Sequence, residues 1–247
     1  MAHMNDYEIT KKEHVRVTQI EKVIEQGKAF KQVTLSSGET FLTKTIIVAT
    51  GAKWRELGVP GEKENIGSGV AYCPHCDGPF FKGKEVAVVG GGNSGIEAAI
   101  DLAGMVEHVT VFEFLPELKA DKVLVDIAEA NSKITIIKNA ATKQIVADGG
   151  KVTALEYIDR ESGDIHQKEL AGVFVQIGLV PNSEVVKDVV EQTPYGEIII
   201  DEKCNTSEPG IFAAGDVTTV PYKQIVIAMG EGSKASLSAF DYLIREH

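Results

Sequence analysis

Cysteine is scarce in this 247-residue chain: only three are present, too few to staple a small secreted scaffold, so the disulfide-rich class is excluded. Long apolar runs are missing too. None approaches the roughly 20 residues that cross a bilayer, and no secretory leader opens the sequence, so no membrane span and a cytoplasmic setting are expected. Basic residues are outnumbered, 25 Lys and Arg against 36 Asp and Glu, for a formal net charge of −11. Phosphate backbones are held by basic stripes, and none is visible here, so nucleic acid is not an expected partner. Repeats and low-complexity segments are absent. What remains is the composition of an ordinary soluble protein, 43% hydrophobic and 25% charged, with length for one large domain or two modest ones. Met1-Ala2-His3-Met4 reads as a cloning remnant and stays out of the fold argument.

Val15 to Thr43 reads as a β-meander: Val15, Val17, Ile20 and Val23 precede a turn at Gly27, and Val33 and Leu35 precede Ser36-Ser37-Gly38. Thr45 to Ala49 is a continuous apolar run ending at Thr50-Gly51, as suits a strand buried on both faces of a parallel sheet. Pro60-Gly61 and Gly67-Ser68-Gly69 punctuate the chain, and a domain boundary is expected between them. From Lys84 the pattern turns to β-α-β: strand Glu85–Val89, a glycine turn, a helix from Ile96 to Met105, then strand Val109–Phe112. That alternation predicts an α/β fold with a doubly wound sheet. Residues 134–170 read as a second meander, and Val173–Ile177 as another buried strand. A short helix, a hairpin at Tyr195-Gly196, strand Ile211–Ala214 and a helix from Ile225 to Arg245 complete the chain.

Gly90, Gly92 and Gly95 follow a predicted strand and open a predicted helix, the context in which G-x-G-x-x-G binds a dinucleotide. Gly90 permits the tight turn, Gly92 lets a pyrophosphate approach the backbone, and Gly95 lets helix and strand close up. Asn93 and Ser94 lie within this turn, and the N-terminus of the helix that follows faces the phosphates with free N–H groups and positive dipole. The bland alternative is a glycine turn without a ligand. Glu113 ends the second strand, 21 residues after Gly92, where a carboxylate binds ribose hydroxyls and repels a 2′-phosphate. Only Lys119 lies close downstream and no arginine follows in the loop, which favours NADH over NADPH. Otherwise Glu113 is a solvated carboxylate at a strand end.

Cys73-Pro74-His75-Cys76 is a Cys-x-x-Cys, an arrangement that lowers one thiol's pKa, especially near a helix N-terminus. His75 adds positive charge nearby, and Asp77 is placed to shuttle a proton. Two alternatives stand beside the redox reading: half of a zinc site, and an inert pair. Tetrahedral zinc needs four ligands, and Cys204, His108 and His166 show no paired spacing, so no metal is expected. Cys204 reads as a packed or surface thiol, and His108, His166 and Trp54 as structural residues.

Taken together, Tyr72 to Pro79, Gly90 to Gly95 and Phe212-Ala213-Ala214-Gly215-Asp216 resemble the thioredoxin reductase family. Glu113-Phe114, Gly163-Asp164-Ile165-His166 and Val220 to Gln224 are most similar to its alkyl hydroperoxide reductase branch. The resemblance covers residues 5–247 and implies two Rossmann-like domains of three-layer ββα type, an enzyme using FAD and NADH, and a redox disulfide. It implies that Cys76 faces the flavin, Cys73 attacks the next disulfide, and Asp77 is the acid–base residue. Thr50 and Gly51 would lie beside FAD, Gly215 and Asp216 at its ribityl chain, and Lys223, Gln224 and Ile225 along its ring. Electrons would end at a peroxiredoxin through a thioredoxin-like domain, in peroxide detoxification. The other member reading is an NADPH-dependent thioredoxin reductase; a zinc-binding regulator lies outside the family.

The family's FAD domain opens with its own strand–GxGxxG–helix, and this chain has a single such unit, at Gly90. Residues 5–63 and 181–247 are therefore expected to be an incomplete FAD domain, and 64–180 a nearly whole NADH domain. Three consequences are expected: weak or absent FAD binding, an exposed sheet edge near Ile46 to Ala49, and self-association, a homodimer being the simplest form. Such a chain would be a nucleotide-binding module with little turnover of its own.

Overall fold

The computed structural model describes residues 9–245; the suspected remnant at residues 1–4 lies outside the described residues. The chain divides into two compact units, one made of the residues up to Lys53 together with those from Val180 on, the other of Trp54–Leu179.

The first unit opens with the expected antiparallel meander, β1 (Val17–Glu25), β2 (Lys28–Leu35) and β3 (Thr40–Thr43). Gln26 and Gly27 join β1 to β2 with φ of 51° and 78°, the left-handed pair that a two-residue hairpin demands. β4 (Ile46–Val48) follows, and β5 (Ala52–Trp54) leads into the second unit.

Trp54–Leu179 contains β6 (Val70–Ala71), α1 (Pro74–Asp77), β7 (Glu85–Val89), α2 (Asn93–Ala103), β8 (His108–Phe112), α3 (Lys122–Ala130) and β9 (Ile134–Ile137). A meander of β10 (Ala140–Asp148), β11 (Lys151–Asp159) and β12 (Ile165–Glu169) comes next, then β13 (Gly172–Val175) and the exit strand β14 (Leu179–Pro181). Five strands form one sheet in the order β6-β13-β7-β8-β9, every pairing parallel. Alternation along β7 makes this a three-layer unit, because successive side chains point to opposite faces. Val86 and Val88 pack with Ile96, Ala99 and Leu102 of α2, while Ala87 and Val89 pack with Ile145 and Leu155 of the β10–β12 meander.

Two readings of the sequence are corrected here. Residues 134–137 are an edge strand of the parallel sheet, not the start of the meander, which begins at Ala140. Parallel neighbours need a crossover, and α3, unforeseen in the sequence, provides it between β8 and β9. The boundary also moves: residues 54–63 belong to the second unit. They are fastened there by Glu62, which accepts from Leu57 N, Gly58 N and the Tyr72 hydroxyl, and by Ile145 N donating to Pro60 O.

Back in the first unit, a 3-10 turn at Glu184–Val186 and an antiparallel bridge between Gln192 and Ile198 precede β15 (Ile211–Ala213) and α4 (Ile225–Arg245). β15 pairs with β4 in parallel, and among the described residues these two strands make up their sheet. Ile211 and Ala213 pack with Val48, Val186 and Ile198, while Phe212 packs with Ala235 and Ala239 of α4. Among the described residues no helix is long and apolar enough to cross a membrane.

Candidate redox and dinucleotide site

β7 runs into the glycine turn at Gly90, whose φ of 122° is closed to most L side chains. A Cβ there would lie 2.4 Å from the Gln176 carbonyl oxygen, and one at Gly95 would lie 1.9 Å from Gly90 O. Both glycines are thus forced by backbone packing. Gly92 differs: a Cβ would meet nothing within 4 Å, so the N-cap of α2 faces open space and has no side-chain cap. The first N–H groups of an eleven-residue helix are left for an anion, as a pyrophosphate cradle requires. Ser94 is exposed at this end.

Glu113 is buried, with 8% of its surface exposed, which removes the reading of it as a solvated carboxylate. One carboxylate oxygen accepts from Gly91 N and the other from Leu115 N at 2.8 Å. The segment after it folds back over the glycine turn. Lys119 N donates to Gly91 O, and Asn93 exchanges two hydrogen bonds with Asp121, so the Asn93 side chain is already engaged. The sequence contains no arginine in this loop, but the fold delivers one: Arg160 stacks on the Phe114 ring at 3.8 Å and donates to Phe114 O at 2.8 Å. Nothing local in the sequence signals that contact, because the two residues are 46 positions apart.

In the same unit Cys73 and Cys76 are joined as a disulfide, their Cα atoms 5.2 Å apart. Cys73 is the N-cap of α1, with Pro74 in the first turn, where its missing N–H costs nothing. Cys76 N donates to Cys73 Sγ at 3.2 Å, and Asp77 N donates to Cys73 O. A donor aimed at Sγ of Cys73 favours the thiolate once the bond opens. The next 3-10 turn begins at Gly78, where a Cβ would crowd Leu102 and Met105 at 3.0 Å, so the redox turn packs close against α2. Cys76 is exposed and Cys73 half-buried. His75 is exposed, with Nδ1 2.8 Å from Asp101 Oδ2. Asp77 is half-buried, and its carboxylate makes no hydrogen bond among the described residues. Tyr72 precedes the pair; burial and its bond to Glu62 push its phenol well above the usual range.

The remaining expected site residues lie in the first unit. Thr50 Oγ1 donates to Asn182 O at 2.6 Å, and Asn182 returns bonds to Thr50 O and Gly51 O. Gly215 opens a 3-10 turn with φ of 77°, followed by half-buried Asp216, whose carboxylate has no hydrogen bond among the described residues. The Lys223 ammonium is held by Glu197 at 3.0 Å and by Thr218 O. Gln224 ends the loop, and Ile225, 84% exposed, begins α4.

Cys204 is the packed thiol: fully buried, 3.2 Å from Glu231 Oε2 and pushed up to about 12 by burial and that carboxylate. His108 bonds Thr135, His166 stacks on Tyr157 and Trp54 stacks on Tyr72, all structural contacts. The half-zinc reading fails at its first requirement, since the two sulfurs are bonded to each other.

The pattern of the pyridine nucleotide-disulphide oxidoreductase family matches residues 3–232. The chain is 57% identical over 244 residues to the F component of alkyl hydroperoxide reductase in Escherichia coli (strain K12), covering 99% of this chain and 47% of that protein. It is 53% identical over 243 residues to a protein named NADH dehydrogenase of Ferdinandcohnia aciditolerans, covering 98% and 46%. Its fold is similar to that of thioredoxin reductase from Streptococcus pyogenes, with a TM-score of 0.85 at 38% identity over 93% of this chain and 74% of that one. Thioredoxin reductase from Giardia duodenalis gives 0.86 at 32% identity over the same shares. The chain spans about half the length of the curated relatives it matches. With a disulfide and a dinucleotide-type glycine turn in one unit and these likenesses across nearly its whole length, the chain belongs to the pyridine nucleotide-disulphide oxidoreductase family.

Proposed function

We propose that this chain is the part of an NADH-dependent disulfide reductase that seats the nucleotide and carries the redox disulfide, serving peroxide detoxification. The observation that carries the reading is the combination within Trp54–Leu179 of an uncapped glycine cradle, a buried strand-end carboxylate and a Cys73–Cys76 disulfide. Gly92 and the first turn of α2, with Asn93 and Ser94, hold the pyrophosphate. Glu113 takes the ribose and disfavours a 2′-phosphate.

When bound, FAD supplies the two-electron link between NADH and the disulfide. The protein's own work is at the sulfurs. Opening the Cys73–Cys76 bond takes up two electrons and one proton, leaving Cys73 as thiolate and Cys76 as thiol, and Asp77, one residue from Cys76, holds or releases the proton there. The Cys73 thiolate, steadied by Cys76 N, then attacks an acceptor disulfide and forms a mixed disulfide. Cys76 attacks Cys73 Sγ, the original bond re-forms, and the acceptor leaves as a dithiol. The acceptor proposed is a thioredoxin-like domain or a peroxiredoxin. His75, braced by Asp101, keeps a cationic group at the exposed side of the turn when protonated.

The residues present fit FAD in part. Thr50, Gly51, Gly215, Asp216, Lys223, Gln224 and Ile225 supply a turn and an unengaged carboxylate suited to the ribityl and ring end. The first unit offers no strand–GxGxxG–helix among the described residues to hold the pyrophosphate. FAD is therefore expected to bind this chain weakly, which the visible spectrum of purified protein tests: a yellow sample with one FAD per chain contradicts it. Arg160, fixed on the residue after Glu113, is the feature that favours the second reading, NADPH as donor. The decisive assay supplies FAD with NADH or NADPH and a disulfide dye: NADH consumption that disappears in Cys73→Ser and Cys76→Ser supports the proposal, and consumption unchanged in both variants rejects it.

A further inference from the structure

We propose that Tyr72 is a positioning residue for the Cys73–Cys76 pair, anchored by the buried carboxylate of Glu62. The inference rests on the redox reading of the pair and adds what holds it in register. Tyr72 sits immediately before Cys73 and is gripped from three sides. Its ring stacks on Trp54, centroids 6.0 Å apart and planes within 22°. Its hydroxyl donates to Glu62 Oε1 at 3.0 Å. Its carbonyl accepts from Gln176 Nε2 at 2.8 Å, an amide that is itself buried at the end of β13.

Glu62 is fully buried and makes no ion pair among the described residues. A buried carboxylate without a cation is costly unless its lone pairs are met by donors. Here three donors meet it: Leu57 N at 2.8 Å, Gly58 N at 2.7 Å and the Tyr72 hydroxyl. Of these, only the hydroxyl belongs to the segment that enters the redox turn. Trp54, Leu57 and Gly58 come from the start of this unit and Gln176 from near its end, so segments far apart in sequence converge on the residue beside Cys73.

The chemistry needs such a grip. Once the disulfide opens, only the backbone keeps the two thiols near each other, with Cys73 extended at φ −117°, ψ 101° as the cap of α1. Loosening the residue before Cys73 lowers the effective concentration of one thiol at the other and disfavours re-forming the bond. Neither Tyr72 nor Glu62 touches the reacting sulfurs, so both act through backbone position.

The experiment equilibrates the full chain with graded ratios of reduced to oxidised dithiothreitol, quenches it in acid, alkylates it and quantifies Cys73 and Cys76 by mass. Tyr72→Phe keeps the ring and its stacking and removes only the hydroxyl. Its pair is expected to be reduced at a dithiothreitol ratio about threefold to tenfold lower than wild type, the net worth of one hydrogen bond. Glu62→Gln is expected to shift the same equilibrium in the same direction, and to add nothing in a Tyr72→Phe background, because it acts through that hydroxyl. A purely structural role would lower the melting temperature without moving the thiol equilibrium. If Tyr72→Phe titrates with wild type, the inference is overturned while the redox reading stands. Full additivity of the two substitutions overturns it as well. If the wild-type pair never opens and closes, the redox reading itself fails. Should Glu62→Gln not fold, Tyr72→Phe alone decides.

Discussion

In Trp54–Leu179 the central strands β7, β8 and β13 are buried on both faces, by α2 on one side and by the β10–β12 meander on the other. In the other unit the parallel pair β4–β15 has no further strands among the described residues, Ile47 is 41% exposed, and α4 shows Ile225, Val226, Met229, Leu237 and Phe240 to solvent. The difference follows from how each core is assembled. The second unit draws its layers from one continuous stretch of chain, so local crossovers build a closed core. The first combines two distant stretches, and its parallel pair has, among the described residues, none of the neighbouring strands that such sheets use for cover. The glycine turn proposed as the nucleotide cradle and the disulfide stand on the closed unit; the proposed flavin contacts stand on the open one.

The comparison breaks first at the sulfurs. Cys73→Ser and Cys76→Ser are each expected to lower acceptor reduction by about a thousandfold or more, while NADH binding to the intact cradle is kept. A stopped assay and calorimetry on the same preparations separate the two effects. Gly95→Val comes next. Its first methyl-bearing carbon would overlap Gly90 O, so the closed unit is expected to lose about 3 kcal/mol or more and its nucleotide site with it. Denaturant unfolding measures this, and a stability within error of wild type would mean that the α2–β7 approach is not needed. Glu113→Gln is a smaller change: the preference for NADH over NADPH is expected to fall about tenfold in competition binding, as one charge-assisted contact is lost. An unchanged preference would show that Arg160 or another group sets the choice.

The smallest effect lies in the open unit. Cys204 has its thiol pushed up from an ordinary 9.0 to about 12, first by burial and then by the Glu231 carboxylate, which itself stays low through Lys234 and the Cys204 bond despite its burial. A raised folded value means the contribution is whole below the ordinary thiol range and is lost as pH climbs from about 9 toward about 12. Melting temperature should therefore fall across that alkaline window in wild type, and less steeply in Cys204→Ala. Alkylation near neutral pH should spare Cys204 in the folded protein.

The sequence made the closed unit legible where periodicity and turn chemistry are strong. Glu85–Val89 and the glycine turn appear there where the residues place them, and in the open unit so do the meander at Val15–Thr43 and the start of the Ile225–Arg245 helix. α3 is faint in the sequence because only Leu124 and Ala128 reach a core while Val123 and Ile127 face outward, so its apolar stripe is blurred. Without that crossover in view, Ile134–Ile137 looks like one more meander strand. Contacts over long separations were beyond any local pattern: Arg160 on Phe114 spans 46 positions, and Gln176 on Tyr72 spans 104. Burial of Glu62 and Glu113 was hidden for a related reason, since a carboxylate is taken as solvated until its donors are seen.

The most direct measurement supplies the protein with FAD, adds NADH without oxygen, alkylates at once and maps the labels by peptide mass. The account predicts one NADH oxidised for each pair opened, labels on both Cys73 and Cys76, and none on Cys204. NADH oxidised to completion with the two sulfurs still joined would contradict it.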